Sequence, residues 1–147
     1  MRLVLGSDHA GFELKEAVKA LLADEGHEIV DVGTDSSERT DYPPFAAAAG
    51  RKVAGEEVER GVLVCGSGNG VAIAANKVDG VRAINAHDPD EAEMARRHND
   101  ANVVTLSGSR VEPQAAHEIV RAFLATDFEG GRHAQRVDQI RELEGTA

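Results

Sequence analysis

Cys65-Gly-Ser-Gly-Asn-Gly70 joins the only thiol of the chain to a glycine-rich loop. The stretch follows the apolar run Gly61–Cys65 and opens into Val71-Ala-Ile-Ala-Ala-Asn76-Lys77. That is the pattern of a buried strand, a tight loop and a helix. Glycines let backbone N–H groups converge on an anion, and a helix N-terminus adds a favourable dipole. Nearby N–H dipoles and cations favour a thiolate, which then serves as a base near neutral pH. A base beside an anion hole suits proton transfer that develops an oxyanion. Taken alone, Cys65 is more often a small buried hydrophobe and the glycines a simple turn. Their shared position at a strand end favours chemistry. Nucleotide loops fit poorly. A dinucleotide fingerprint begun at Gly66 meets Val71 where its third glycine belongs, and one begun at Gly68 meets Ile73. A P-loop for nucleoside triphosphates needs Gly-Lys-Ser/Thr at its end, which is missing. A compact anion suits this loop better.

Other residues have the types that such chemistry needs. Asp8-His9 follows the first apolar run, where Asp8 could cap a helix while His9 stays unexplained. His98-Asn99-Asp100 closes a helical run that begins near Asp90, where a histidine also suits the helix dipole and the polar residues a helix stop. Arg132 and Arg136 are spaced to project from one helical face beside His133, after Gly130-Gly131. In so acidic a chain this cluster reads as a phosphate clamp, joined by Arg110, with a solvated helix face as the plain alternative. The histidines lack the spacing of a metal motif, and Asp88-Pro-Asp90-Glu91 reads as a helix start. No metal and no cofactor are expected.

Short apolar runs must position these groups. Arg2–Gly6, Glu28–Val32, Gly61–Cys65, Arg82–Ala86 and Val103–Leu106 read as strands bounded by Gly, Asp or His. Between them Leu14, Val18, Leu21 and Leu22 mark one helical face, and Ala116, Ile119, Val120, Phe123 and Leu124 mark another after Pro113. Phe45–Ala54 follows Pro43-Pro44, and a last helix is expected over residues 133–144. Strand–helix alternation predicts a parallel sheet of about five strands with helices on both faces. Ligands of such sheets bind beyond the carboxyl ends of the strands. Asp8-His9, Cys65–Gly70, His87-Asp88 and Ser107–Arg110 are therefore expected on one rim.

Composition bounds the rest. One domain over residues 1–147 is expected. Aromatics are only 3% of the chain, so Val, Leu, Ile and Ala must build the core. A net charge of −10 argues against nucleic acid or an anionic membrane as partner. A single cysteine forms no intrachain disulfide, which fits a reducing cytoplasm. No signal peptide and no membrane-spanning run are expected.

The motifs together resemble ribose-5-phosphate isomerase type B, in the wider group with galactose- and allose-6-phosphate isomerases. The matching pieces are Gly6–Phe12, Ser36–Pro43, Cys65–Gly70, Ala74–Lys77, His98–Asp100, Gly108–Arg110 and Glu129–Arg136, in the order of that family. The resemblance implies a three-layer α/β/α, Rossmann-like sandwich and an aldose–ketose isomerase working through a cis-enediolate without metal. It implies Cys65 as the base moving a proton between C1 and C2, and His98 as the aid to ring opening. Asp8 is implied in proton traffic or hydroxyl binding. Gly66, Ser67, Gly68, Asn69 and Gly70 are implied in holding the enediolate oxygens, with the Ser67 hydroxyl taking part. Asn99 is implied on a sugar hydroxyl, and His9, Arg110, Arg132 and Arg136 on the phosphate. One branch of the family uses this cysteine, the other a glutamate after the loop. Val71 stands at the glutamate's place, which assigns the chain to the cysteine branch. The family also implies a homodimer with shared sites, in some members a tetramer. Ribose 5-phosphate and ribulose 5-phosphate are the expected substrates. The alternatives are a tetrose 4-phosphate, allose 6-phosphate or galactose 6-phosphate, or a binding module without turnover.

Overall fold

The structure is a computed structural model that describes residues 1–145. Five strands alternate with helices: β1 (Arg2–Ser7), α1 (Phe12–Asp24), β2 (Glu28–Asp31), α2 (Pro43–Ala54), β3 (Arg60–Cys65), α3 (Asn69–Ala75), β4 (Ala83–Asn85), α4 (Pro89–Asn99), β5 (Val103–Ser107), α5 (Pro113–Ala125) and α6 (Arg132–Glu142). The strands pair in the order β2-β1-β3-β5-β4, all parallel. The chain is thus an α/β protein with a five-stranded parallel sheet and helices on both faces, as the alternation predicts.

Side-chain parity along the strands divides the core in two. Leu3, Leu5, Val62, Val64, Val104 and Leu106 meet α1, α4 and α5 on one face. Val4, Leu63, Cys65 and Val103 meet α2 and α3 on the other. With both faces covered, the strands read as nearly unbroken apolar runs, which is why they are legible in the sequence. Phe123 is the one fully buried aromatic among the large core side chains, which are otherwise Leu, Ile, Val and Lys15.

Helix ends follow local chemistry. Pro43 and Pro44 open α2, Pro89 opens α4 and Pro113 opens α5, where a missing N–H costs nothing. Asp88 accepts the Glu91 N–H while Glu91 accepts the His87 N–H, a reciprocal cap that starts α4. The last turn of α4 stops at Asp100, in the left-handed region at φ 45°. Its carboxylate takes Arg96 at 2.8 Å and Arg82 at 3.3 Å. β4 is shorter than the sequence predicts because the Arg82 N–H leaves the ladder for the Asn102 side chain.

Lys15 is buried on α1, and its ammonium is held by both Asp31 oxygens at 2.8 Å and the Thr34 carbonyl at 2.8 Å. Burial alone raises the Asp31 carboxyl, but hydrogen bonds from Lys15, Lys19 and the Gly33 N–H hold it below its ordinary value. The stability it contributes is therefore present above the ordinary carboxylate range and lost as pH falls through the lowered value. Asp31→Asn is expected to cost about 1–3 kcal/mol in urea unfolding at neutral pH. That loss should shrink in acid. No helix among the described residues is long and apolar enough to cross a membrane.

Candidate active site

The chain turns back on itself between β1 and β3: β2 lies to one side of this pair, β5 and β4 to the other. In open α/β sheets such a reversal opens a crevice at the carboxyl ends of the strands. Asp8 and His9 enter it from β1, Cys65–Gly70 from β3 and Ser107–Arg110 from β5. Close backbone approach holds these loops together. A Cβ on Gly11 would lie 2.4 Å from the Val64 carbonyl oxygen, so only glycine fits where α1 starts against β3.

Parity turns the Cys65 side chain to the α2–α3 face, under the loop that leads into α3. There its Sγ accepts the Gly68 N–H at 3.2 Å. Gly68 sits at φ 83°, a left-handed turn that glycine adopts freely, and is the N-cap of α3. Cys65 is buried, Ser67 and Asn69 are exposed, and Gly66 and Gly70 are half-buried. The Ser67 hydroxyl oxygen accepts the Asn69 N–H at 3.1 Å and keeps its own proton for a ligand. The ring of Tyr42, just before α2, closes over Gly70; a Cβ there would meet it at 2.5 Å.

Asp8 is buried and accepts the Gly11 N–H at 3.0 Å. It is not the helix cap that its position suggested. The N-cap is Gly11, three residues on, and Asp8 instead stiffens the turn that leads to it. His9 is partly buried, and its Nδ1 meets the backbone of Thr40 at 3.1 and 3.2 Å, which leaves Nε2 for a ligand. Arg110 is exposed at the same rim.

The remaining candidates lie elsewhere. α4 runs back against the strands, so its last turn carries His98 and Asn99 to the amino edge of the sheet. The Asn99 and Asp100 carbonyls accept the Nε–H of Arg82, which precedes β4. Arg96 Nε donates to the Thr126 carbonyl and the Glu129 N–H to that of Arg97, stitching the approach to α6 onto this end of α4. His98 stacks on His133 with ring centroids 4.2 Å apart and planes 15° from parallel. Arg132 and Arg136 flank His133, exposed. Burial first, then His98 and these guanidiniums, push the His133 imidazole below the ordinary value of 6.5. A six-residue strand, about 20 Å of chain, separates this cluster from Cys65. The chain therefore keeps the thiol and the histidine–arginine cluster apart, at opposite edges of the sheet.

His98, Glu129 and His133 place ligand-type atoms within 4.8 Å of one another. The arrangement does not fit one metal ion. Lone pairs of nitrogen lie in the ring plane, and two stacked, nearly parallel rings hold them side by side without a common focus. The adjacent guanidiniums favour an anion instead.

The model of the ribose/galactose isomerase family matches residues 3–140. The chain belongs to that family. It is 46% identical to ribose-5-phosphate isomerase B of Escherichia coli over 143 residues, which is 97% of this chain and 96% of that protein. It superposes on the ribose 5-phosphate isomerase of Thermotoga maritima with a TM-score of 0.95 and 44% identity, covering 97% of this chain and 98% of that one. The structure of the Mycoplasma genitalium isomerase B with bound ribulose-5-phosphate matches with a TM-score of 0.94 and 38% identity, covering 99% and 97%. Within this isomerase family fold, residues behind the glycine loop went unnoticed in the sequence. Asn85 and Thr105 reach the loop from β4 and β5. Their signal was available: Asn85 closes the apolar β4, and Thr105 stands among Val103, Val104 and Leu106 of β5.

Proposed function

We propose that this protein is a metal-independent aldose–ketose isomerase that interconverts ribose 5-phosphate and ribulose 5-phosphate through a cis-enediolate. The observation that carries the reading is Cys65 Sγ beneath the Gly68 N–H, inside a glycine loop at the switch point of the sheet. Membership of the ribose/galactose isomerase family supports it.

In this mechanism the phosphate is gripped by His9, Arg110, Arg132 and Arg136, and its binding energy holds the reacting carbons near Cys65. His98 exchanges a proton with the ring oxygen as the furanose opens, and Asn99 holds a sugar hydroxyl. The Cys65 thiolate takes the proton from C2. Electrons of that C–H bond form the enediolate, whose oxygens receive N–H groups of Gly66–Gly70 and the Ser67 hydroxyl. Cys65 returns a proton to C1, and ribulose 5-phosphate results. Asp8 binds a hydroxyl or relays the proton between the two oxygens.

The two half-sites join when two copies pair. A two-fold axis running across the strands reverses their direction, which sets the amino edge of one copy beside the carboxyl edge of the other. Each site then takes Cys65 from one chain and His98, Asn99, Arg132 and Arg136 from the other. A surface for this pairing exists at the outer edge of β4, which has no strand beyond it among the described residues. Two grooves adjoin there at Ile84 and Asn99. Ile73, Met94, Ile140 and Leu143 are exposed on the neighbouring helices α3, α4 and α6 and the turn that follows. Large exposed apolar side chains beside an open strand edge suit burial in a partner.

Steady-state kinetics on ribose 5-phosphate, erythrose 4-phosphate, allose 6-phosphate and galactose 6-phosphate test the reading. The highest kcat/KM is expected for ribose 5-phosphate, and no turnover of any of them would leave a binding module. Arg132→Ala and Arg136→Ala are each expected to raise KM about tenfold or more, the cost of one charge-assisted phosphate contact. An unchanged KM would return these arginines to a solvated helix face.

A further inference from the structure

The carbonyl groups of the glycine loop are tied down from behind by residues of β4 and β5. Asn85 Nδ2 donates to the Ser67 carbonyl at 3.1 Å and to Asn69 Oδ1 at 2.8 Å. Thr105 Oγ1 donates to the Gly68 carbonyl at 2.7 Å, with Asn85 Oδ1 alongside at 3.2 Å. Ser107 Oγ and Ser109 Oγ both donate to the Gly66 carbonyl, at 2.6 and 2.7 Å.

A trans peptide is planar, so its carbonyl and the next N–H point in opposite directions and turn together. Fixing the Ser67 carbonyl fixes the Gly68 N–H, the group that reaches Cys65 Sγ. Fixing the Gly68 carbonyl aims the Asn69 N–H, which donates to the Ser67 hydroxyl oxygen and so orients that hydroxyl, and fixing the Gly66 carbonyl aims the Ser67 N–H. Asn85 also closes on the turn directly: a Cβ on Gly68 would lie 2.2 Å from its Oδ1. Thr105 is fully buried in the middle of β5, on the Cys65 face of the sheet, where valine would serve packing as well. A buried hydroxyl there needs a partner, and the partner it has is the loop.

We propose that Asn85 and Thr105 are positioning residues for the isomerase: they hold the rear of the glycine loop so that the Gly68 N–H faces Cys65 and the Ser67 hydroxyl is turned to the enediolate. The inference rests on the isomerase reading above. Neither residue touches substrate in it, so their loss acts through the loop, lowering kcat and sparing the phosphate grip that dominates KM.

The test combines steady-state kinetics on ribose 5-phosphate with amide hydrogen exchange at Gly68, read by NMR. The variants are Asn85→Asp, which keeps the shape and removes both donors, Asn85→Ala, Thr105→Val and Thr105→Ser. In the first three, kcat is expected to fall about tenfold or more with KM within about twofold, since small displacements of catalytic groups are costly. The Gly68 amide should exchange at least about tenfold faster while the amides of β5 stay protected. Thr105→Ser keeps the hydroxyl and should retain both properties. Unchanged kcat and unchanged Gly68 exchange in Asn85→Asp and Thr105→Val overturn the proposal, as does a Thr105→Ser variant that behaves like Thr105→Val. A wild-type protein that turns over no ribose 5-phosphate overturns the isomerase reading instead, and the exchange data then decide by themselves whether the brace exists.

Discussion

Cys65→Ala is expected to lower kcat on ribose 5-phosphate by about a thousandfold or more, with binding of the phosphosugar still measurable by calorimetry. The reason is positional. Parity puts the thiol under the loop, where the Gly68 N–H at 3.2 Å holds the sulfur, and the proposed mechanism gives this sulfur the C2 proton. No other side chain in the immediate loop can take its place: Val71 is apolar, and Ser67 is a far weaker base. Removing one sulfur leaves the residues proposed to grip the phosphate unchanged, so affinity should change little. Near-normal turnover in this variant would remove Cys65 from the mechanism.

Mixing two inactive proteins is expected to restore activity. Cys65→Ala and His98→Ala each lack one half of every site when paired with themselves. In a mixed dimer, one site inherits both defects and the other inherits Cys65 from the second chain and His98 from the first. Random reassortment makes half of the dimers mixed, so activity should return to about one quarter of the wild-type value. The expectation follows from the separation of the half-sites by the length of the sheet. If a single chain folded His98 onto its own Cys65, mixed dimers would contain no intact site, and activity would stay at background.

Much of this arrangement could be read from the chain before its structure. The strands stand out because burial on both faces makes them continuously apolar, as in Leu3-Val-Leu5 and Val62-Leu-Val64. The crevice was legible too, since parallel strands must bring Asp8, Cys65 and Arg110 to one edge. A site shared between two copies was implied by the family resemblance alone. A helix that returns antiparallel to its strand ends at the amino edge, so a histidine in the last turn of α4 cannot reach the end of β3. The strand order was not legible, because β4 and β5 exchange places without any change in their hydrophobic pattern. Nor were the contacts of Asn85 and Thr105 with the loop, which join residues 16 to 37 positions apart. Asp8 shows the limit of local rules. Its side chain accepts a backbone N–H as a cap does, but at a turn that leads to the helix start.

Ribose 5-phosphate in D₂O, followed by NMR with the pure protein and no added metal, is the most direct measurement of all. The expected result is ribulose 5-phosphate with deuterium entering at C1, in the wild-type protein and not in Cys65→Ala. Ribulose 5-phosphate formed with protium fully retained at C1 would contradict an enediolate served by an exchanging thiol, and no ribulose 5-phosphate at all would contradict the pentose phosphate isomerase itself.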